Sequence, residues 1–537
     1  MINPLKILKS LLLGGIYLYS ASAAAQSVSF ETFDIERLEQ SELRLTGNDV
    51  TGLRYLPIDK LSLVEIGLQG SRGDYVNFHQ PAQSFAVDVI TESYFRYSQK
   101  TVLYGKIGYM NLQGKECGGS VFLTPDKNPF DIIEFDEADK GEKRQEKYHL
   151  VGALSFDASE KLSLGAKIDF ESVNYAKFKD LRHSNKLLNL KTVAGLSYRF
   201  SPRLEMAANY LYRRNIEEVS FYIEGLAETY YSLVSHGGFW GQKEQFDKTG
   251  FLSESETRPL VDIFHGGGLR LNYTSSRIHF LNEFTYTLRD GYFGKRGSGS
   301  LYLSEHNSDI LTYSGTFSYA KGKNKHFFCV SAEKEDIENY QTSYKIVLEP
   351  NGFSYYEYYD PVRIGTKFRT QASMYYVYWH NMNELIPSWA LKAGFRRKNR
   401  DLTAIFYPYY REQNIKSNTV DLSGERNLAK GIHRYQITLG ASYQFGDGNP
   451  MNDGSYATPS ETSKKPAMLN ELAQKEFEYL TGQHLNLNAG FRYSRPFPSL
   501  NVDAYAALGY ACTQAFDIQY LPNNYFHEVV LRLGCSF

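Results

Sequence analysis

Three stretches carry residue types that could do chemistry. The run "HGGG", His265 to Gly268, has the form of a loop whose backbone N–H groups stabilise an oxyanion. That work needs a nucleophile on a GxSxG elbow, and the sequence contains none. "HEVV" from His527 begins like a zinc-binding helix, but Leu531 stands where the second histidine must be. His149 and Ser155 share one face of an alternating segment, with no carboxylate close in sequence to complete a hydrolytic set. No Walker loop, dinucleotide fingerprint or metal-ligand spacing occurs. The expectation is a protein that is not an enzyme and carries no cofactor.

The charged residues say more as a set. Where the period-two phase can be assigned, one face of the segments carries Lys167, Lys191, Arg199, Arg213, Arg270, Arg289, Lys392, Arg396 and Arg492. The same face carries Asp169, Glu205 and Glu283, with the basic groups in modest excess. A soluble core does not tolerate such a face. A water-filled lumen does, and its unpaired cations would favour anions. A second candidate is the cluster Phe353, Tyr355, Tyr356, Glu357, Tyr358, Tyr359 and Asp360, whose rings suit contact with a sugar or a partner protein, or the packing of a lid. Aromatics in 217–260, Phe239 and Trp240 among them, raise the same two readings.

The elements that must position these groups are strands. Tyr148, Leu150, Gly152, Leu154 and Phe156 fall on one face, as do Leu162, Leu164, Ala166, Ile168 and Phe170. The pattern recurs to the end of the chain in segments of roughly 9–12 residues, the length of a tilted bilayer crossing. Short turns ("SQKT", "ASEK", "SPR", "TSSR", "GKN") alternate with long connections at about 113–146, 217–260 and 337–362. A soluble β-sandwich also alternates, but explains neither the polar second face nor this asymmetry. Residues 61–537 are therefore expected to form a closed antiparallel transmembrane β-barrel of about 18 strands, with 16 as the alternative. Reaching 18 requires splitting 389–411 at "RKNRD" into 389–397 and 401–411. That leaves 412–432 as a periplasmic connection and 446–482 as an extracellular one, with a short helix over Ala467–Leu480.

Residues 1–25 read as a secretory signal peptide: Lys6 and Lys9, an apolar stretch from Leu11 to Tyr19, then small residues. Residues 26–60 are expected to line the lumen or lie in the periplasm. The 59 basic and 60 acidic residues balance, which argues against nucleic acid as a partner. The 43 tyrosines suit a membrane interface.

The closing residues His527 to Phe537 alternate Val529, Leu531, Leu533 and Cys535 toward one face and end on a bare aromatic. This resembles the last strand and assembly signal, here Phe537, of Gram-negative outer-membrane β-barrel proteins. Turn style, tyrosine content and loop length resemble Bacteroidota barrels, including a family of no assigned function. The resemblance implies the cell outer membrane, its lipid as a partner, and work as a channel or transport component for small polar solutes, anions among them. A non-conducting binding or scaffold barrel serving an uptake receptor or surface protein, with a glycan or small solute as ligand, is the second reading. An outer-membrane hydrolase is the third.

Overall fold

The computed structural model describes residues 35–225, 229–247, 250–254, 256–297, 300–383 and 386–537. The expected leader, residues 1–25, lies outside the described residues. Eighteen strands form one sheet. Each pairs antiparallel with its sequence neighbours in the wall. The last, Tyr525–Ser536, returns to the first, Lys60–Gly73, in the register Leu63↔Ser536 to Gly73↔Phe526. Closure removes the sheet edge that would otherwise expose unpaired N–H and C=O groups.

The alternation sorts the faces one residue at a time. Ile66, Ile168, Leu269 and Leu533 lie half bare on the outside of the wall. Their chain neighbours point inward: Glu65 meets Arg532, Lys167 meets Asp169 and Arg270 meets Asp49. Aromatics such as Phe95, Tyr97, Tyr198 and Phe200 are exposed beside the short turns, where their amphipathic rings suit the interface. An apolar outer belt around a charged bore is a structure for lipid, and the chain is an outer-membrane β-barrel. Among the described residues no helix is long and apolar enough to cross a membrane; strands make the crossing.

Two expectations are corrected. The region around "RKNRD" is not a turn but the middle of one strand, Ile386–Phe406, and the chain reverses at Tyr407 and Pro408. The next strand, Tyr409–Lys430, occupies what was expected to be a periplasmic connection. The count of 18 therefore holds with a different division. All the wall strands but the last are also longer than a bilayer crossing: Tyr525–Ser536 has 12 residues, the others 14 or more and up to 23 in His433–Ser455, so the wall stands beyond the membrane.

Gly266 and Gly268 of "HGGG" lie in the strand Arg258–Thr274. A Cβ at Gly266 would sit 2.6 Å from Thr287 Oγ1 and one at Gly268 2.7 Å from Asn209 Oδ1. The glycines make room for neighbouring wall side chains.

Candidate functional site: a charged lumen between a lid and a hatch

At the end of the short turns, a helix at Ile35–Ser41 and 3-10 turns at Leu43–Leu45 and Val50–Tyr55 lie inside the bore. Ile35, Leu38, Val50, Leu53 and Leu56 pack against Leu61, Tyr94, Val102, Val193 and Leu211 of the wall. Each such buried side chain is worth about 1.5–3 kcal/mol before ordering costs. Polar contacts spread around the circumference. Tyr94 Oη donates to Glu39 at 2.6 Å, Lys191 Nζ to Asn48 Oδ1 at 2.7 Å, and Lys325 Nζ to the Ser41 carbonyl at 3.1 Å. Asn48 N–H donates to Glu283 at 3.1 Å, and Arg37 pairs with Glu425. The central latch is Arg270–Asp49 at 3.2 Å, both side chains almost wholly buried. Gly47 precedes it at φ +96°, where a Cβ would also meet Glu283 Oε2 at 2.6 Å.

At the long-loop end, pieces of three connections make a second sheet in the order Ala467–Met468, Trp240–Gln245, Tyr231–Gly237, Asp131–Glu134 and Gly119–Ser120. Phe239 and Trp240 are buried in this lid, so they are core and not contact residues. The lid tip meets the far wall through Arg411, which donates to the Gly238 carbonyl at 3.1 Å while Asp453 grips it at 2.6 and 2.8 Å. On the opposite side Lys143 and Lys177 hold Glu134 at 2.9 and 2.5 Å. The helix Asn470–Thr481 closes the flank through Glu476 on Arg400.

The lid holds a titration. Burial pushes the Asp131 carboxyl up to about 8, against the pull of the Ser120 hydroxyl at 2.7 Å and the fields of Lys367 and Lys143. Between its usual value near 4 and about 8 the closed lid binds more protons than an opened one, so closure weakens as pH rises through that window. Glu134 runs the other way: despite its burial, Lys143, His183 and Lys177 hold it below the usual range, so its contribution is lost only in acid. Lid opening in urea, followed by Trp240 fluorescence, is expected to need more denaturant at pH 5 than at pH 8. Asp131→Asn should remove most of the difference, and an equal midpoint in the wild type at both pH values would contradict this assignment.

Between the closures the wall charges face each other. His149 Nε2 lies 2.8 Å from Asp169, with Lys167 at 3.9 Å from the same carboxylate. Arg213 donates to Asn189 at 2.8 Å and stands over the Phe264 ring. Arg289 is gripped by Asp262 at 2.7 Å and Glu335 at 3.3 Å. Arg199 donates to Tyr55 Oη at 3.3 Å, and that hydroxyl in turn meets Glu205. Lys392 and Arg492 stand over the rings of Tyr375 and Tyr505, and Arg396 meets Asp421 at 3.4 Å. Several of the predicted lumen residues thus hold the hatch or the lid: Lys191, Arg270, Glu205 and Glu283 the first, Arg289 the second through the Lys127 carbonyl. Ser155 donates to the Thr51 carbonyl of the hatch at 3.2 Å and does not meet the His149–Asp169 pair. A cavity of about 660 Å³ lies between the hatch residues Ile35, Glu36 and Glu39 and the wall residues Lys106, Arg492 and Arg532. Asp262, Glu335, Lys143 and Arg400 were absent from the sequence prediction.

The aromatic cluster splits. Tyr344–Leu348 and Ser354–Tyr358 pair as a hairpin outside the barrel. Tyr356 and Tyr358 pack on the lid core, and Tyr358 stacks on Tyr302 at 4.1 Å. Phe353, Tyr355, Tyr359 and Asp360 are exposed, while Glu357 pairs with Lys345 at 3.1 Å. Phe537, at the turn end, exchanges two backbone hydrogen bonds of 2.9 Å with Ser62.

A family model described as "Family of unknown function (DUF6850)" matches residues 50–537. Among solved structures the chain is similar to the ferric preacinetobactin receptor BauA from Acinetobacter baumannii (9% identity, TM-score 0.40, 88% of this chain and 79% of that chain). It is also similar to the ferric citrate transporter FecA in the unliganded form (9% identity, TM-score 0.38, 90% and 79%). A third is the monoaromatic hydrocarbon channel CymD (10% identity, TM-score 0.28, 93% and 96%). The curated proteins gave no match.

Proposed function

The chain belongs to this family of unknown function (DUF6850), and on that premise we propose that it is an outer-membrane transport barrel for small polar solutes, with a weak preference for anions. The observation that carries the reading is a charged lumen closed at its two ends by the chain's own segments, with a cavity of about 660 Å³ open beside the hatch. A barrel filled only for stability would pack apolar side chains through its centre. Here the middle of the bore holds ion pairs and open space, and the blocking elements are a hatch and a lid, each attached by a limited set of contacts. A solute would pass when both yield.

Anion preference rests on cations whose compensation is incomplete: Lys392 and Arg213 face rings or an amide and make no carboxylate contact among the described residues. In planar bilayers under a salt gradient, open barrels should show a reversal potential of anion-selective sign and small size. A cation-selective potential would contradict the charge assignment.

The exposed Phe353, Tyr355 and Tyr359 of the outer hairpin favour a second reading, a binding barrel within a surface complex. The two part on conductance: a scaffold stays closed after its closures are removed.

A further inference from the structure

A separate cavity of about 280 Å³ lies beneath the lid, walled by six consecutive strands. Its floor follows the strand register: Glu333 stands opposite Gln371, Gln371 opposite Lys398, and Lys398 opposite Ser417. One row toward the lid, Arg369 stands opposite Arg400; on the other side of Lys398 lies Arg396, opposite Thr419. The roof is Asp126 and the helix residues Tyr479 and Leu480. Four cations, Arg369, Arg396, Lys398 and Arg400, therefore share one small space with two lining acids, Asp126 and Glu333.

Their partners leave capacity unused. Arg369 meets Glu335 at 3.1 Å, Arg396 meets Asp421 at 3.4 Å, and Arg400 meets Glu476 at 2.5 Å and Asp126 at 3.5 Å. These carboxylates fix the guanidinium planes, with Gln413 Oε1 also accepting from Arg400 at 2.9 Å, and leave of Arg400 only the Nε–H. Arg400 Nε is buried with no hydrogen-bond partner among the described residues. Lys398 makes no hydrogen bond or ion pair with any described residue. Lysine beside held arginines suits an oxyanion, which accepts several charge-assisted hydrogen bonds at once and relieves the crowding of like charges. Gln371, Ser417, Thr419 and Gln444 supply neutral donors and acceptors around it. The volume lies just below the range of about 300–1,000 Å³ usual for drug-sized ligands, which restricts the occupant to a smaller molecule.

We propose that this cavity binds an oxyanion carried on a small polyol, a sugar acid or sugar phosphate of monosaccharide size, with Lys398 as its principal charge contact. This deepens the transport reading and rests on it for the biological role, but the binding itself is measured separately. The full chain in detergent is titrated calorimetrically, at constant ionic strength, with glucuronate, glucose 6-phosphate and glucose. Both anions should bind, and glucose at least ~10-fold more weakly, the discrimination one charge-assisted hydrogen bond provides. The two anionic arms separate carboxylate from phosphate. Lys398→Gln should lower anion affinity by about ten- to a hundredfold and leave glucose unchanged; Lys398→Arg should restore most of it. Heat-modifiable migration certifies that each variant is folded. Equal binding of glucose and the anions, no anion binding by the wild type, or wild-type affinity in Lys398→Gln would overturn the proposal. Conductance keeps the two readings apart: a conducting barrel that binds no anion loses only this site, and an anion-binding barrel that never conducts loses only the transport role.

Discussion

Deletion of Phe537 is expected to lower the yield of folded, heat-modifiable barrel by about an order of magnitude. Phe537 is the last rung of the seam: its N–H donates to the Ser62 carbonyl and its carbonyl accepts from Ser62 N–H, both at 2.9 Å, and Lys60 lies over its ring at 5.1 Å. Eleven register pairs, Leu63↔Ser536 to Gly73↔Phe526, follow from that rung. Two hydrogen bonds alone would cost only about 1–3 kcal/mol, too little to unfold a barrel of this size. The larger loss is kinetic. An unclosed seam in lipid leaves two edges of unpaired backbone, each group costing several kcal/mol, so the first rung decides whether closure begins. Phe537→Ala keeps the backbone bonds and should lie between deletion and wild type. Deletion without loss of yield would show that closure begins elsewhere along the seam.

How far this architecture was legible can be read from one strand it hid. In Tyr409–Lys430 the outward residues Val420 and Leu422 are the only adjacent apolar pair, while Glu412, Asn414, Lys416 and Asn418 carry the same face away from the belt. Apolar alternation is demanded only where a strand touches lipid. Beyond the bilayer the pairing needs backbone hydrogen bonds alone, and "RKNRD" continues as strand because its neighbours supply them in Gly365↔Ala404 to Asn383↔Ile386. The true reversal carried a signal, Pro408, beside a run of tyrosines that read as strand.

The inward charges were legible because Ile168 fixes the phase of Lys167 and Asp169, and Leu269 that of Arg270. Asp262, Glu335 and Arg400 were not, since they sit where strands leave the belt and the phase marker is gone. The lid was invisible for a different reason. Its sheet joins five short pieces from connections far apart in sequence, and none has enough alternation to declare itself. The hatch residues Asn48 and Asp49 look like an ordinary polar turn; only the ring of lysine, arginine and glutamate around them gives them a role.

The second large effect is expected at that ring. Asp49→Ala leaves Arg270 buried without its carboxylate, in a place where Arg270 Nη2 already lacks a partner. Breaking one side of a buried pair costs about 3–5 kcal/mol. Asp49 also accepts from Thr51 N–H at 3.0 Å and Thr51 Oγ1 at 2.8 Å, so the turn Val50–Tyr55 loses its N-terminal support as well. Amide exchange across 35–56 should accelerate by ~100-fold or more, with the wall strands unchanged. Adding Arg270→Met should recover part of the loss by removing the orphaned charge. Unchanged exchange in Asp49→Ala would mean that apolar packing alone seats the hatch.

The most direct measurement is single-channel conductance in planar bilayers of three barrels: the wild type, one lacking residues 35–58, and one in which the lid strands 231–245 are also replaced by a short turn. A water-filled lumen closed by two separate elements predicts a wild type that conducts little. It predicts a rise when the hatch is removed, and stable openings larger by an order of magnitude when both closures are gone. A doubly opened barrel that is folded, inserted and silent would contradict a transport lumen and leave the scaffold reading in its place.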